Sequence, residues 1–174
     1  TELARNQEQQ IMILAHNKSL LTYLHSAIEH RSIASVGYYI GGMKEADLKL
    51  SENKKVIIAT YAMASEGLDI KTLTTLIMAS PKTDVCQSVG RILRTKHSSP
   101  MVVDIIDKHD IFEKQWHKRR QYYMKQKYNI ISSDNNSYFN NEWQTIYDPL
   151  KSEESIKKIK KKEEPLKGVC LIKL

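Results

Sequence analysis

The sequence predicts an α/β fold built on an open, mainly parallel sheet. Over the first hundred residues, short apolar runs alternate with longer polar stretches, which is the pattern of βα units rather than of a sandwich or a helical bundle. The apolar runs are continuous, as is typical of strands that are covered on both faces. Because such sheets bind ligands at the carboxyl ends of their strands, the functional residues are expected in the loops that follow the strands.

Five apolar runs are the candidate strands of this sheet. They are Ile11–Ala15, Val36–Ile40, Val56–Thr60, Thr75–Ala79 and Met101–Asp107. The residues after the first run predict a helix that packs on the sheet, because five apolar side chains recur there at helical spacing. These are Leu20, Leu21, Leu24, Ala27 and Ile28. Asn17 or Ser19 is available as the N-cap of this helix.

The chain after the last predicted strand divides into a helix and a tail. Residues 108–128 are predicted to form one helix, and its part from Lys114 to Lys127 holds six Lys or Arg residues and no acidic residue. From Ser132 the composition becomes polar and Asn-rich and then Lys-rich, which is typical of linkers and charged tails. We therefore expect a folded domain over residues 1–131 and a linker with a Lys-rich tail over residues 132–174.

The charge of the chain favours a polyanionic partner without establishing one. Twenty-seven Lys and Arg residues against 20 Asp and Glu residues give a net charge of +7. No apolar run approaches the ~18 residues of a membrane span, so a soluble protein with no membrane contact is expected. Cys86 and Cys170 lie far apart without His or Cys at metal-ligand spacing, so neither a disulfide framework nor a zinc site is expected. An intracellular, reducing compartment fits best.

The most specific cluster is QSVGRILR, in which Gln87, Gly90, Arg91 and Arg94 fall within one or two helical turns. Arg91 and Arg94 are three residues apart, so both guanidinium groups project from one face of a helix. Two such groups side by side match the oxygens of a phosphate chain, and the glycine allows close approach of a ligand. The alternative is an ordinary solvated basic face.

A second cluster, TYAMASEGLDI, follows the predicted strand that ends at Thr60. Asp69 could accept hydrogen bonds from ribose hydroxyls, and Thr60 could contact a phosphate oxygen. The alternative is structural, with Gly67 as a helix C-cap and Asp69 as a turn residue.

The two clusters and their order resemble the C-terminal RecA-like domain of superfamily 2 helicases. Motif IV of that family corresponds to ILAHN, motif V to ATYAMASEGLDI and motif VI to QSVGRILR. The segments VGYYIGGMK and VVDIIDKHDIFEKQWHKRRQYY resemble the group that includes phage, poxvirus and other large-DNA-virus helicases. The resemblance implies a RecA-like three-layer αβα domain with a mainly parallel central sheet, and a viral protein that acts in the infected cell or the virion.

The resemblance also implies roles for individual residues. Arg94 would be the arginine finger at the γ-phosphate of ATP, with Arg91 as its companion, and both would stabilise charge in phosphoryl transfer. The nucleotide site would further include Gly67, Asp69, Gln87 and Gly90. The sugar-phosphate backbone of the nucleic acid would be contacted by His16, Asn17, Gly41, Gly42, Lys44 and Thr60.

The basic helix is a further candidate for phosphate contacts. Lys118, Arg119 and Arg120 could bind phosphates there, and Trp116 or Tyr122 could stack on bases. The alternative is an amphipathic helix that packs its aromatic side chains, Phe112 and Trp116, on the sheet and exposes its basic face to solvent.

The sequence departs from a complete helicase at the phosphate-binding loop and the acidic magnesium motif, which are both absent. Gly41 to Lys44 lacks the upstream glycine and the following hydroxyl of that loop. We therefore expect the second half of an ATP-dependent DNA helicase or translocase, inactive alone, whose Mg²⁺ and phosphate cradle lie in an N-terminal RecA-like domain of the same protein. DNA would be bound without sequence specificity. RNA as the track, or a non-catalytic RecA-like module that binds nucleic acid or protein, are the alternatives.

Overall fold

A computed structural model describes residues 2–66, 70–85, 89–90, 97, 99–107, 109–150 and 168–173 of the chain. The chain forms two compact units. The first consists of Thr1–Ser80 with Gln87–Pro100, and the second of Pro81–Cys86 with Met101–Leu174.

The first unit is a parallel sheet with helices. Its strands are β1 (Gln10–Ala15), β2 (Val36–Tyr39), β3 (Val56–Thr60) and β4 (Leu73–Met78), and its described helices are α1 (Glu2–Arg5), α2 (Lys18–His30), α3 (Glu45–Glu52) and α4 (Tyr61–Glu66). The strand order is β2–β3–β1–β4, and each neighbouring pair is parallel. The first four predicted strands and the parallel sheet are thus confirmed, with ends that differ by at most two residues.

The core of this unit lies between the sheet and α2. Ile11, Ile13 and Ile58 of the central strands are buried, and Leu21 and Ile28 of α2 pack against them. Asn17 caps the helix, since its side-chain oxygen accepts the N–H of Ser19 at 2.7 Å. The predicted amphipathic helix and its cap are both confirmed. The strands are buried along their length, whereas the helix buries one face and exposes the other to solvent.

The edge strand β2 lies very close to the end of α3. A Cβ atom on Gly37 would lie 2.8 Å from the hydroxyl oxygen of Ser51 and 3.0 Å from the Cγ atom of Lys54. Gly37 is therefore required for this close approach of strand and helix, and a larger residue would force the two elements apart.

The second unit contains an antiparallel sheet. Its elements are β5 (Met101–Ile106), α5 (Asp110–Lys125), β6 (Asn129–Ser133), α6 (Asn135–Phe139), β7 (Gln144–Tyr147) and β8 (Gly168–Lys173). The strand order is β5–β8–β6–β7, so the last strand in the chain lies between β5 and β6.

The prediction that residues 132–174 are a linker and tail is wrong for the segments that enter this sheet. The apolar run of β8 spans only Val169 to Ile172 and follows a strongly charged stretch, so composition averaged over the tail conceals it. In the strand register Cys170 pairs with Asp104, about 66 residues earlier, and with Ser132, about 38 residues earlier. Periodicity cannot reveal such distant pairing. The stretch 151–167 lies outside the described residues.

Among the residues that the structure describes, no helix is both long enough and apolar enough to cross a membrane.

Candidate functional site

The carboxyl ends of the four parallel strands meet at one edge of the first unit. Ala15 at the end of β1 pairs with Thr60 at the end of β3, and Leu14 pairs with Met78 at the end of β4. Tyr39 at the end of β2 pairs with Ala59. The loops that contain the predicted nucleic-acid residues therefore all leave the sheet at this edge, which we call the carboxyl edge.

Three of these loops are joined by His16, Tyr61 and Ser80. The backbone N–H of His16 donates to the Ser80 hydroxyl at 3.0 Å, and the Tyr61 hydroxyl donates to the Ser80 carbonyl at 2.7 Å. The imidazole of His16 packs on the ring of Tyr61 with 4.6 Å between ring centroids. Tyr61 is buried whereas His16 is exposed, so the buried ring supports the exposed one. This support holds the imidazole at the carboxyl edge.

Sequence reasoning missed Tyr61 and Ser80. Tyr61 follows β3 directly, and Ser80 lies two residues after β4, so both occupy the positions where loop residues meet in a parallel sheet. That position is the signal that could have identified them.

Asn17 and Thr60 both cap helices at the carboxyl edge. The side-chain oxygen of Asn17 accepts the N–H of Ser19, and the Thr60 hydroxyl oxygen accepts the N–H of Met63 at 3.4 Å. Neither the Asn17 amide nor the Thr60 hydroxyl donates a hydrogen bond to another described residue. Each side chain can therefore cap its helix and still offer a donor to an anionic ligand.

The loop after β2 is a glycine turn. Gly42 has a φ of +90°, a left-handed conformation that glycine adopts without strain. A Cβ atom on Gly41 would meet no atom within 4 Å, so packing does not require glycine there. Lys44 is exposed and begins α3 without a side-chain cap hydrogen bond. The turn thus presents backbone N–H groups and one lysine to solvent beside the end of β2.

The predicted nucleotide residues Gly67, Asp69, Gln87, Arg91 and Arg94 lie outside the described residues. Gly90 is described and exposed, and a Cβ atom there would meet nothing within 4 Å. Its neighbour Val89 is fully buried. Packing against described atoms therefore does not explain the glycine at position 90.

The prediction that Arg119 contacts nucleic acid is wrong, because its side chain is buried and each of its three guanidinium nitrogens donates a hydrogen bond within the protein. Its Nε and Nη2 atoms donate to the two carboxylate oxygens of Asp104 at 2.7 and 2.9 Å, and its Nη1 atom donates to the Lys82 carbonyl at 2.8 Å. The side chains of Arg119 and Asp104 are 0% and 1% exposed. A phosphate cannot reach a guanidinium in this position.

Asp104 explains why Arg119 is buried. Burial raises the pKa of the Asp104 carboxyl, and the hydrogen bonds and positive charge of Arg119 act in the opposite direction. Tyr123 adds a hydrogen bond to the same carboxylate at 3.4 Å. The acidic residue within the apolar run MVVDII was the available sequence signal, since a carboxylate in a buried strand requires a cationic partner.

The outcome of the other predictions for the basic helix, which is α5, depends on the face of the helix that each residue occupies. Lys118 is exposed, so it remains available for a phosphate. Trp116 is 1% exposed and cannot stack on a base. The alternative interpretation, an amphipathic helix that packs its aromatic side chains inward, is confirmed for Trp116.

A metal site is not visible in the described part of the chain, where no three His, Cys, Asp or Glu side chains come together to hold an ion.

No family model matches the sequence. Among curated proteins, the chain is similar to “Putative ATP-dependent RNA helicase L396” of Acanthamoeba polyphaga mimivirus, with 46% identity over 128 residues, or 72% of this chain and 24% of that protein. It is also similar to “Putative ATP-dependent RNA helicase QP509L” of African swine fever virus (isolate Pig/Kenya/KEN-50/1950), with 27% identity over 83% of this chain and 31% of that protein. The chain thus spans less than a third of the length of either relative.

Solved structures share the fold at low sequence identity. The C-terminal domain of the DEAD-box protein Dbp5 matches with a TM-score of 0.52 and 17% identity over 67% of this chain and 69% of that chain. The Hef helicase domain of Pyrococcus furiosus matches with a TM-score of 0.54 and 22% identity over 69% of this chain and 26% of that chain. The predicted RecA-like α/β fold is therefore confirmed.

Proposed function

Viral relatives and the fold support a superfamily 2 helicase C-terminal domain, and from that premise we propose that this chain is the second motor domain of an ATP-dependent DNA helicase or translocase. The observation that carries the proposal is the carboxyl edge, where the ends of β1, β2 and β3 place His16, Asn17, Thr60 and the Gly41–Gly42 turn. Ligands of open α/β sheets bind at this edge.

The carboxyl edge suits a phosphate backbone because it offers hydrogen-bond donors. The Asn17 amide, the Thr60 hydroxyl and the backbone N–H groups of Gly41 and Gly42 donate to no other described residue. Exposed Lys44 adds a positive charge. Donors of this kind bind phosphate oxygens and do not read base identity, so binding without sequence specificity is expected.

The nucleotide is assigned to the residues of the sequence clusters. Arg91 and Arg94 would hold the γ-phosphate of ATP and stabilise the charge that develops during transfer, while Gly67, Asp69, Gln87 and Gly90 would line the site. Mg²⁺ would neutralise phosphate charge, and an N-terminal RecA-like domain of the same protein would hold it.

DNA as the track is the first candidate, and RNA is the second. The RNA candidate has a specific observation behind it, since the mimivirus and African swine fever virus relatives both carry RNA helicase in their names. Backbone donors alone do not distinguish the two tracks, because both present the same phosphate groups.

The test is the ATPase rate of the full-length protein without nucleic acid, with single-stranded DNA and with single-stranded RNA of the same length. A translocase hydrolyses ATP faster when its track is present, and the stronger activator identifies the track. A rate that neither nucleic acid changes would contradict the proposal, and the absence of any ATPase activity would favour the non-catalytic module. Strand displacement on DNA and RNA duplexes measures the preference for the track independently.

A further inference from the structure

Helix α5 separates its side chains into two faces. The inner face contains Trp116, Arg119 and Tyr123, which are buried. The outer face contains four exposed residues, which are Lys114, Lys118, Gln121 and Lys125. They are separated by four, three and four positions in the sequence. This spacing places the four side chains along one stripe of the helix. We call this stripe, together with exposed Lys127 just beyond the helix, the α5 lysine face.

The α5 lysine face has a positive charge that the described residues leave uncompensated. Its four lysines make no ion pair and no side-chain hydrogen bond with any residue that the structure describes. By contrast, exposed Lys49 of α3 pairs with Glu45 four residues earlier at 2.8 Å. Asp110 lies four residues before Lys114 but makes no ion pair with it, and the sequence between Lys114 and Lys127 contains no acidic residue.

The length of the face suits an extended polyanion. At ~1.5 Å of rise per helical residue, Lys114 and Lys125 are about 17 Å apart along the helix axis. Their ammonium groups are compact charges on flexible stems, so they can adjust to phosphates without a fixed geometry. Several phosphates of one strand could therefore be contacted at the same time.

The chemistry of the face favours nucleic acid over an acidic protein. Protein interfaces are enriched in aromatic side chains and depleted in lysine. The aromatic rings Trp116 and Tyr123 point inward, and the exposed apolar side chain of the helix is Ile111 in its first turn. We propose that the α5 lysine face binds the phosphate backbone of nucleic acid, as a second contact surface besides the carboxyl edge. The choice of nucleic acid rests on the proposed function.

The test compares two triple variants of the full-length protein. Lys114→Gln, Lys118→Gln and Lys125→Gln remove three charges from the face. Lys49→Gln, Lys54→Gln and Lys71→Gln remove three exposed lysines from the other unit as the matched control. The Kd for a fluorescein-labelled single-stranded DNA oligonucleotide is measured by fluorescence anisotropy over a series of salt concentrations.

The face variant should bind on the order of 10- to 100-fold more weakly at low salt, and the slope of log K against log salt should become less negative by about 2. The control should keep the slope of the unaltered protein. Equal slopes for both variants would overturn the inference. So would loss of binding to polyglutamate with unchanged DNA binding, since that result would assign the face to an acidic protein.

ATPase activity without nucleic acid separates this inference from the proposed function. Both triple variants should retain it, because neither alters a residue assigned to the nucleotide. The unaltered protein could lack ATPase activity while the face variant still binds DNA more weakly. That result would support the α5 lysine face and contradict the motor function. An active ATPase with unchanged salt slopes would contradict the α5 lysine face alone.

Discussion

Three donors of the Arg119 guanidinium are used inside the unit that contains it. Two bind Asp104, and the third binds the Lys82 carbonyl, which lies shortly before the QSVGRILR cluster in the chain. A buried carboxylate that loses its cation remains in an apolar environment with no compensating charge. At the scale of single residues, the ion pair is therefore a structural element and not a ligand site.

Replacing Arg119 with Ala should destabilise the protein by about 3–5 kcal/mol, because Asp104 would be left buried and unpaired. The free energy of unfolding in urea measures this effect. Gln121→Ala, an exposed substitution in the same helix, is the matched control and should change stability by less than about 0.5 kcal/mol. Similar losses for the two variants would contradict the structural role of the pair.

At the scale of elements, Asn17 caps a helix and is proposed to contact the ligand, and substitutions can separate the two roles. Its side-chain oxygen caps α2, and its amide is available to a ligand at the carboxyl edge. Asn17→Asp keeps the capping oxygen and replaces the amide with a negative charge, which repels phosphates. Asn17→Ala removes both groups.

Asn17→Asp should keep the stability of the protein and weaken nucleic-acid binding, whereas Asn17→Ala should also lower the free energy of unfolding by about 1 kcal/mol. Urea unfolding and fluorescence anisotropy with single-stranded DNA measure the two effects. Unchanged DNA affinity in both variants would contradict the proposed ligand contact and show that Asn17 only caps α2.

Local patterns predict elements well where each element is determined by its own residues. The apolar runs at Ile11–Ala15 and Val56–Thr60 and the Asn17 cap depend on local sequence, and the structure contains them. The strand β8 depends on pairing with distant β5 and β6, so its short apolar run was interpreted as part of a tail. Arg119 was misassigned for the same reason, because its partner Asp104 lies on another element.

At the scale of the whole molecule, β8 completes the sheet of the second unit from the far end of the chain. It pairs with β5 on one side and with β6 on the other. Without it, both strands would expose unpaired backbone groups along one edge. The C-terminal residues are therefore expected to be necessary for the stability of this unit.

Truncation after Lys167 should strongly reduce the hydrogen-exchange protection of the β5 and β6 amides, because their pairing partner is removed. The protection of β1 and β3 in the first unit should change less, since these strands pair with each other. Truncation after Lys173 leaves β8 whole and is the control. If β5 and β6 remained protected without β8, its central position in the sheet would be contradicted.

The molecule as a whole is proposed to act as the second half of a motor, with the nucleotide and nucleic-acid contacts on separate sets of residues. Arg91 and Arg94 would act on ATP, while the carboxyl edge and the α5 lysine face would contact the track. A change at the nucleotide arginines should therefore slow hydrolysis without weakening nucleic-acid binding.

The most direct test is the ATPase activity of the full-length protein with Arg94→Ala, measured with saturating single-stranded nucleic acid. An arginine finger acts in the transition state, so kcat should fall on the order of 10³-fold while ATP binding and nucleic-acid affinity change little. Arg31→Ala, which removes an exposed arginine after α2, is the control and should keep kcat. An Arg94→Ala enzyme with unchanged kcat would contradict the assignment of this chain as a motor domain.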